Sequence, residues 1–125
     1  MKVIQYYNEY VDKLQTKYRH TLEQVKSDTI NKEQLIIMVD HFINEVNYLN
    51  DIATNVFYYD DRYDSLDNVR SREIADGILN ALNSIRRYIG TTNEDKYKIS
   101  LEVIQCQIDR LKEVKMNKFQ QLNKN

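Results

Sequence analysis

The sequence predicts an all-α protein: four long antiparallel helices in an up-down-up-down bundle. Three observations carry this. The 125 residues include no proline and only two glycines, so the strongest helix breakers are almost absent. Apolar residues recur in alternating steps of three and four through four separate stretches, the spacing of one helix face. The breaks between stretches are short and polar, which favours antiparallel neighbours. The length suits one domain over 1–125. A stripe period near 3.5 favours left-handed, coiled-coil-like packing. The same stripes would also fit two long hairpins, each completed by a partner chain.

The first helix is expected over 2–26, with Ile4, Tyr7, Val11, Leu14, Tyr18, Thr21 and Val25 on its stripe. Ser27, Asp28 and Thr29 interrupt it. The second, over 32–58, has a strong start signal. Asn31 and Gln34 have the spacing of a capping box, and Ile30 and Leu35 that of a hydrophobic staple. Its stripe runs Leu35, Val39, Phe42, Val46, Leu49, Ala53, Val56. The third, over 67–89, is capped by Ser65 or Asp67, carries Ala75, Ile78, Leu82, Ile85 and Ile89, and stops at Gly90. The fourth, over 92–120, starts at a second capping box, Thr91 with Glu94, and carries Tyr97, Leu101, Ile104, Ile108 and Leu111. Beyond these, Lys115 and Lys118 take the stripe positions, and Val114 falls off the stripe.

Composition narrows the function. Eighteen basic and nineteen acidic residues leave a net charge of −1, without the basic footprint of a nucleic-acid binder. The C-terminal run has Arg110, Lys112, Lys115, Lys118 and Lys124 against Asp109 and Glu113. A cationic helix end is its default reading, and a weak nucleic-acid accessory role is the alternative. A single cysteine gives neither a disulfide framework nor a cysteine-based zinc site. The longest apolar run, Leu35 to Val39, is far short of the roughly 20 residues of a membrane span. With no apolar signal-peptide centre near Met1, a cytoplasmic protein is expected.

No catalytic residue, metal site or cofactor is expected from the chemical constellations. His20 falls on the polar side of its helix, and His41 can pair with Glu45 one turn on. Two histidines cannot supply a three-histidine site. Cys106 has no histidine or cation beside it to activate a thiolate. Paired carboxylates, Asp61-x-x-Asp64 then Glu73-x-x-Asp76, are the one enzyme-like pattern. They resemble the Glu-x-x-Glu and Glu-x-x-Asp pairs of all-helical nucleotide pyrophosphohydrolases. That resemblance implies magnesium held over a triphosphate, with Glu73 and Asp76 meeting carboxylates of another helix. It covers about sixteen residues, and it departs from the family in using aspartate in the first pair.

Apolar residues outside the stripes point elsewhere. Ile37 lies away from the line of Leu35, Val39 and Phe42. Ile99, Val103 and Cys106 form a second line opposite Leu101, Ile104 and Ile108. Tyr6 and Tyr10 widen the first helix's apolar face. A helix apolar on both sides is buried on both sides or binds something. The connection Tyr58, Tyr59, Asp60, Asp61, Arg62, Tyr63 offers aromatic contact area around one arginine. The expectation is a small non-enzymatic protein-binding module, an inhibitor, immunity or adaptor protein. It would use Ile37 and the Tyr58–Tyr63 tip for a partner protein, and Ile99, Val103 and Cys106 for a homodimer. In architecture alone the chain is similar to bacteriocin-immunity bundles and phage-encoded inhibitors.

Overall fold

A computed structural model describes residues 3–57, 65–89 and 94–114. It is an all-α four-helix bundle: α1 (Val3–Lys26), α2 (Lys32–Ile52), α3 (Ser65–Tyr88) and α4 (Glu94–Val114). Each helix packs on two neighbours, and among the described residues α1 and α4 close the ring within the one chain. No partner chain is required to complete the core. Cross-helix contacts fix the sense of the neighbours. From α1 to α4, Asp12 meets Lys112, Arg19 meets Asp109 and Lys26 meets Glu102, so one number rises as the other falls. Tyr6 with Tyr48 and Tyr18 with Phe42 show the same for α1 and α2. Asp40 with Arg86 and Asn50 with Asp76 show it for α2 and α3.

The stripes fill the core. Val46, Leu49, Ile78, Leu82 and Ile104 are wholly buried, each contributing about 1.5–3 kcal/mol by leaving water. Thr21, the polar stripe member of α1, is buried as well. Three apolar residues join the core unforeseen: Leu22, Ile52 and Val114. Val114 follows Leu111 by three and so stays on the inward side.

Helix ends follow local chemistry. α1 stops in a Schellman-type turn. Thr29 N–H donates to Gln24 C=O at 3.0 Å and Asp28 N–H to Val25 C=O at 3.2 Å. Asp28 takes the left-handed position at φ 56°, where glycine is usual. α2 starts in the predicted box: Asn31 Oδ1 accepts from Gln34 N–H at 2.8 Å, and Gln34 Oε1 accepts from Asn31 N–H at 2.9 Å. α2 does not run regularly to 58. It gives way after Ile52 to one wide π-helical turn, Ala53–Phe57. Ile52 and Ala53, on either side of the junction, are both buried. α3 begins at Ser65, two residues ahead of the expected start at 67. Gly90, Thr91 and Lys115 to Asn125 lie outside the described residues, as does Tyr58 to Asp64.

Candidate interaction surface

Side chains of α4 divide by helical period. Leu101, Ile104, Ile108 and Leu111 point into the core. Ile99 and Val103 sit on the opposite line and stand 67% and 55% exposed. Cys106 continues that line as an exposed free thiol. On α2, Ile37 is likewise 67% exposed. It lines a shallow groove of about 440 Å³ with Ile30, Met38 and His20. The outward apolar residues thus exist but do not form one patch, because α2 and α4 are diagonal in the ring. Residues Tyr58, Tyr59, Asp60, Asp61, Arg62 and Tyr63 lie outside the described residues.

Between α1 and α2 three tyrosines gather. Tyr10 and Tyr48 have ring centroids 5.2 Å apart, Tyr6 and Tyr10 6.0 Å, and Tyr6 and Tyr48 6.4 Å. The Tyr6 and Tyr48 hydroxyls are 3.1 Å apart. That contact is the first cause holding the Tyr48 hydroxyl above its usual pKa. Burial, then the Glu45 charge, raises Tyr10. Spacing signalled Tyr6 and Tyr10. Tyr48 was missed because a single helix does not reveal its register against the next.

Further along the same seam, Glu45 is buried and its Oε1 accepts from Lys17 Nζ at 3.0 Å. His41 Nε2 lies 2.9 Å from the same oxygen, as the i, i+4 spacing allowed. Glu45 Oε2 is buried without a hydrogen-bond partner. Between α1 and α4, Asp109 Oδ1 accepts from Gln15 at 2.5 Å, Gln105 at 2.9 Å and Arg19 at 3.2 Å. Burial alone would raise the Asp109 pKa. The bonds from Gln15 and Gln105 and the Arg19 charge outweigh it, so the carboxyl sits below the ordinary carboxylate range. Between α3 and α4 a cleft of about 300 Å³ is lined by Ala81, Ser84, Ile85, Tyr88, Tyr97 and Ser100.

Of the paired carboxylates, Asp61 and Asp64 lie outside the described residues. Glu73 is exposed. Asp76 accepts from the Asn50 amide of α2 at 3.0 Å rather than facing a carboxylate there. Among the described residues no group of three or more His, Cys, Asp or Glu is placed to hold a metal ion. No helix among them is long and apolar enough to cross a membrane. No known protein family, characterised protein or solved structure matches the chain.

Proposed function

We propose that the chain is a small protein-binding module, of the inhibitor, immunity or adaptor kind, working through the outer faces of its helices. One observation supports this most. The bundle completes its own core, yet Ile99 and Val103 stand more than half exposed on one outward line of α4. Scattered surface aliphatics are ordinary, but two on one line widen an apolar face that nothing among the described residues covers. A second copy pairing along α4 is the simplest occupant. The Tyr58–Tyr63 segment is proposed as a further contact, from its tyrosines and Arg62.

Light scattering at several concentrations tests the self-pairing. The expected mass is about twice the 15.0 kDa of one chain. The Ile99→Lys/Val103→Lys variant returns it to one chain with unchanged helical circular dichroism. A single-chain mass at high concentration defeats the dimer. A photo-crosslinking residue at position 37 or 99 in lysate of the native host then decides the wider reading, which fails where neither position yields a protein adduct.

A further inference from the structure

The seams of the bundle differ in the charge they carry. Arg19 with Asp109 crosses α1 and α4, Lys17 with Glu45 crosses α1 and α2, and Arg86 with Asp40 crosses α2 and α3. The outer side of the α3–α4 seam is built otherwise. On α3, Gly77, Ala81, Ser84 and Tyr88 follow one another by four and three, and Gly77 lies against Gln107 of α4. Tyr97 and Ser100 of α4 form the opposite wall of the 300 Å³ cleft, over Ile85. From Ser100 the strip continues in steps of three to Val103 and Cys106, both exposed. Charged residues make up 30% of the chain, yet this strip of described side chains carries none. Charges stand at its rim. Glu73 lies one turn before Gly77, and Arg110 one turn beyond Cys106. Arg87, next to Tyr88, donates to the Ser84 hydroxyl at 3.4 Å. Glu102 is held by Lys26 of α1.

We infer that two copies of the chain meet on this α3–α4 face, each copy's Ile99 seated in the other's cleft between Tyr88 and Tyr97. This deepens the self-pairing reading and rests on it. Two features select a second copy as the occupant. The first is charge. A two-fold axis brings the residues near it against their own counterparts, where like charges repel. An uncharged centre tolerates that, and interface cores are depleted in charge and enriched in tyrosine. A strongly acidic or basic partner would find no counter-charge in the middle of the strip. The second feature is shape. Ile99 stands 67% exposed and is followed directly by Ser100, which lines the cleft. A protruding side chain and a hollow are therefore neighbours on one surface. In a two-fold contact, where residue i meets j and j meets i, such a pair fills both hollows at once. The α3 part of the strip, Gly77 to Tyr88, is only about 18 Å long, so the interface is small and the dissociation constant is expected to be micromolar or weaker.

The experiment uses the full chain at about 1 mM. Chains labelled with ¹³C at isoleucine methyls are mixed with unlabelled chains, and isotope-filtered NOE spectra then show contacts between copies alone. NOEs are expected from the Ile99 methyls to the ring protons of Tyr88 and Tyr97. Ile99→Ala, which removes the knob without adding charge, is expected to weaken pairing by about tenfold. Ser84→Lys, on α3, is expected to weaken it by at least about tenfold, because it puts a cation in the hollow. Both variants are compared with the parent at unchanged helical circular dichroism.

A dimer that shows no NOE between Ile99 and either tyrosine overturns the inference and leaves self-pairing along α4 intact. The same holds for a dimer that Ser84→Lys leaves as tight as before, since pairing through α4 alone does not involve Ser84. A single-chain mass at about 1 mM overturns this inference and the self-pairing together. The crosslinking experiment at position 37 then decides the protein-binding reading by itself.

Discussion

The Tyr18 hydroxyl of α1 donates to the Leu101 carbonyl of α4 at 2.6 Å, inside the core. Its ring also packs edge-on to Phe42 of α2 with centroids 5.1 Å apart. One side chain thus ties three helices. Burial raises its pKa far above the ordinary 10.0. Burial also pushes Tyr7 up to about 12, against a lowering bond from Ser71. Both groups are neutral in the folded state and ionise more readily in the unfolded chain. Their contribution is therefore complete below pH 10 and falls as pH rises through the folded values. Urea melts between pH 8 and 12 are expected to show stability falling above pH 10, by about 1.4 kcal/mol per pH unit for each of the two tyrosines. Tyr18→Phe is expected to lose about 1 kcal/mol at neutral pH, for its hydrogen bond. Its alkaline slope should be shallower, and equal slopes in the two proteins would refute the assignment.

Asp28 holds φ at 56° to close the end of α1. A side chain there costs roughly 1 kcal/mol that glycine avoids. The ion pair of Asp28 with Lys98, at 3.3 Å, is largely exposed and worth at most about 0.5 kcal/mol. Asp28→Gly is thus expected to raise stability by about 0.5 kcal/mol, and Asp28→Val to lower it by about 1 kcal/mol or more. Denaturant midpoints at constant slope measure both.

Glu45 places a carboxylate inside the bundle, with one oxygen held by Lys17 and the other without a partner. Breaking such a pair from one side costs more than replacing it whole. Lys17→Met is expected to destabilise by about 1 kcal/mol, reduced from a fully buried value because the lysine is half exposed. Glu45→Met is expected to be neutral, or stabilising by up to about 1 kcal/mol. In the Glu45→Met background Lys17→Met should cost almost nothing. A double-mutant cycle without coupling would show that the pair carries no energy.

The contrast between Asn31 and Gln15 shows what the sequence could and could not disclose. Asn31 acts within its own turn, so spacing to Gln34 was enough to place both hydrogen bonds. The inward stripes were legible for the same reason, since a helix repeats every 3.6 residues whatever it packs against. So was the outward position of Ile37, Ile99 and Val103. Gln15 takes its role from Asp109 and Lys112, 94 and 97 residues away. No pattern in α1 gives the height at which α4 passes it. Spacing shows Glu45 only as a local partner of His41, and its burial depends on where α1 stands. The wide turn at Ala53–Phe57 was hidden too, because Ala53 and Val56 continue the expected stripe without a break.

Gly77 lies in the middle of α3 and does not have a positive φ. Its freedom is therefore unused, and in a helix interior it costs about 1 kcal/mol relative to alanine. The nearest atom to an added Cβ would be Gln107 Nε2 of α4 at 3.5 Å, an ordinary van der Waals contact at the end of a flexible side chain. Nothing in the packing opposes a methyl group there. Gly77→Ala is expected to stabilise by about 1 kcal/mol, a rise in Tm of about 4 °C for a chain of this size. Gly77→Leu is expected to lose that gain by displacing Gln107. Thermal melts of the two variants decide it: a lower Tm for Gly77→Ala would mean that α3 and α4 approach each other more closely at this point than the 3.5 Å contact implies.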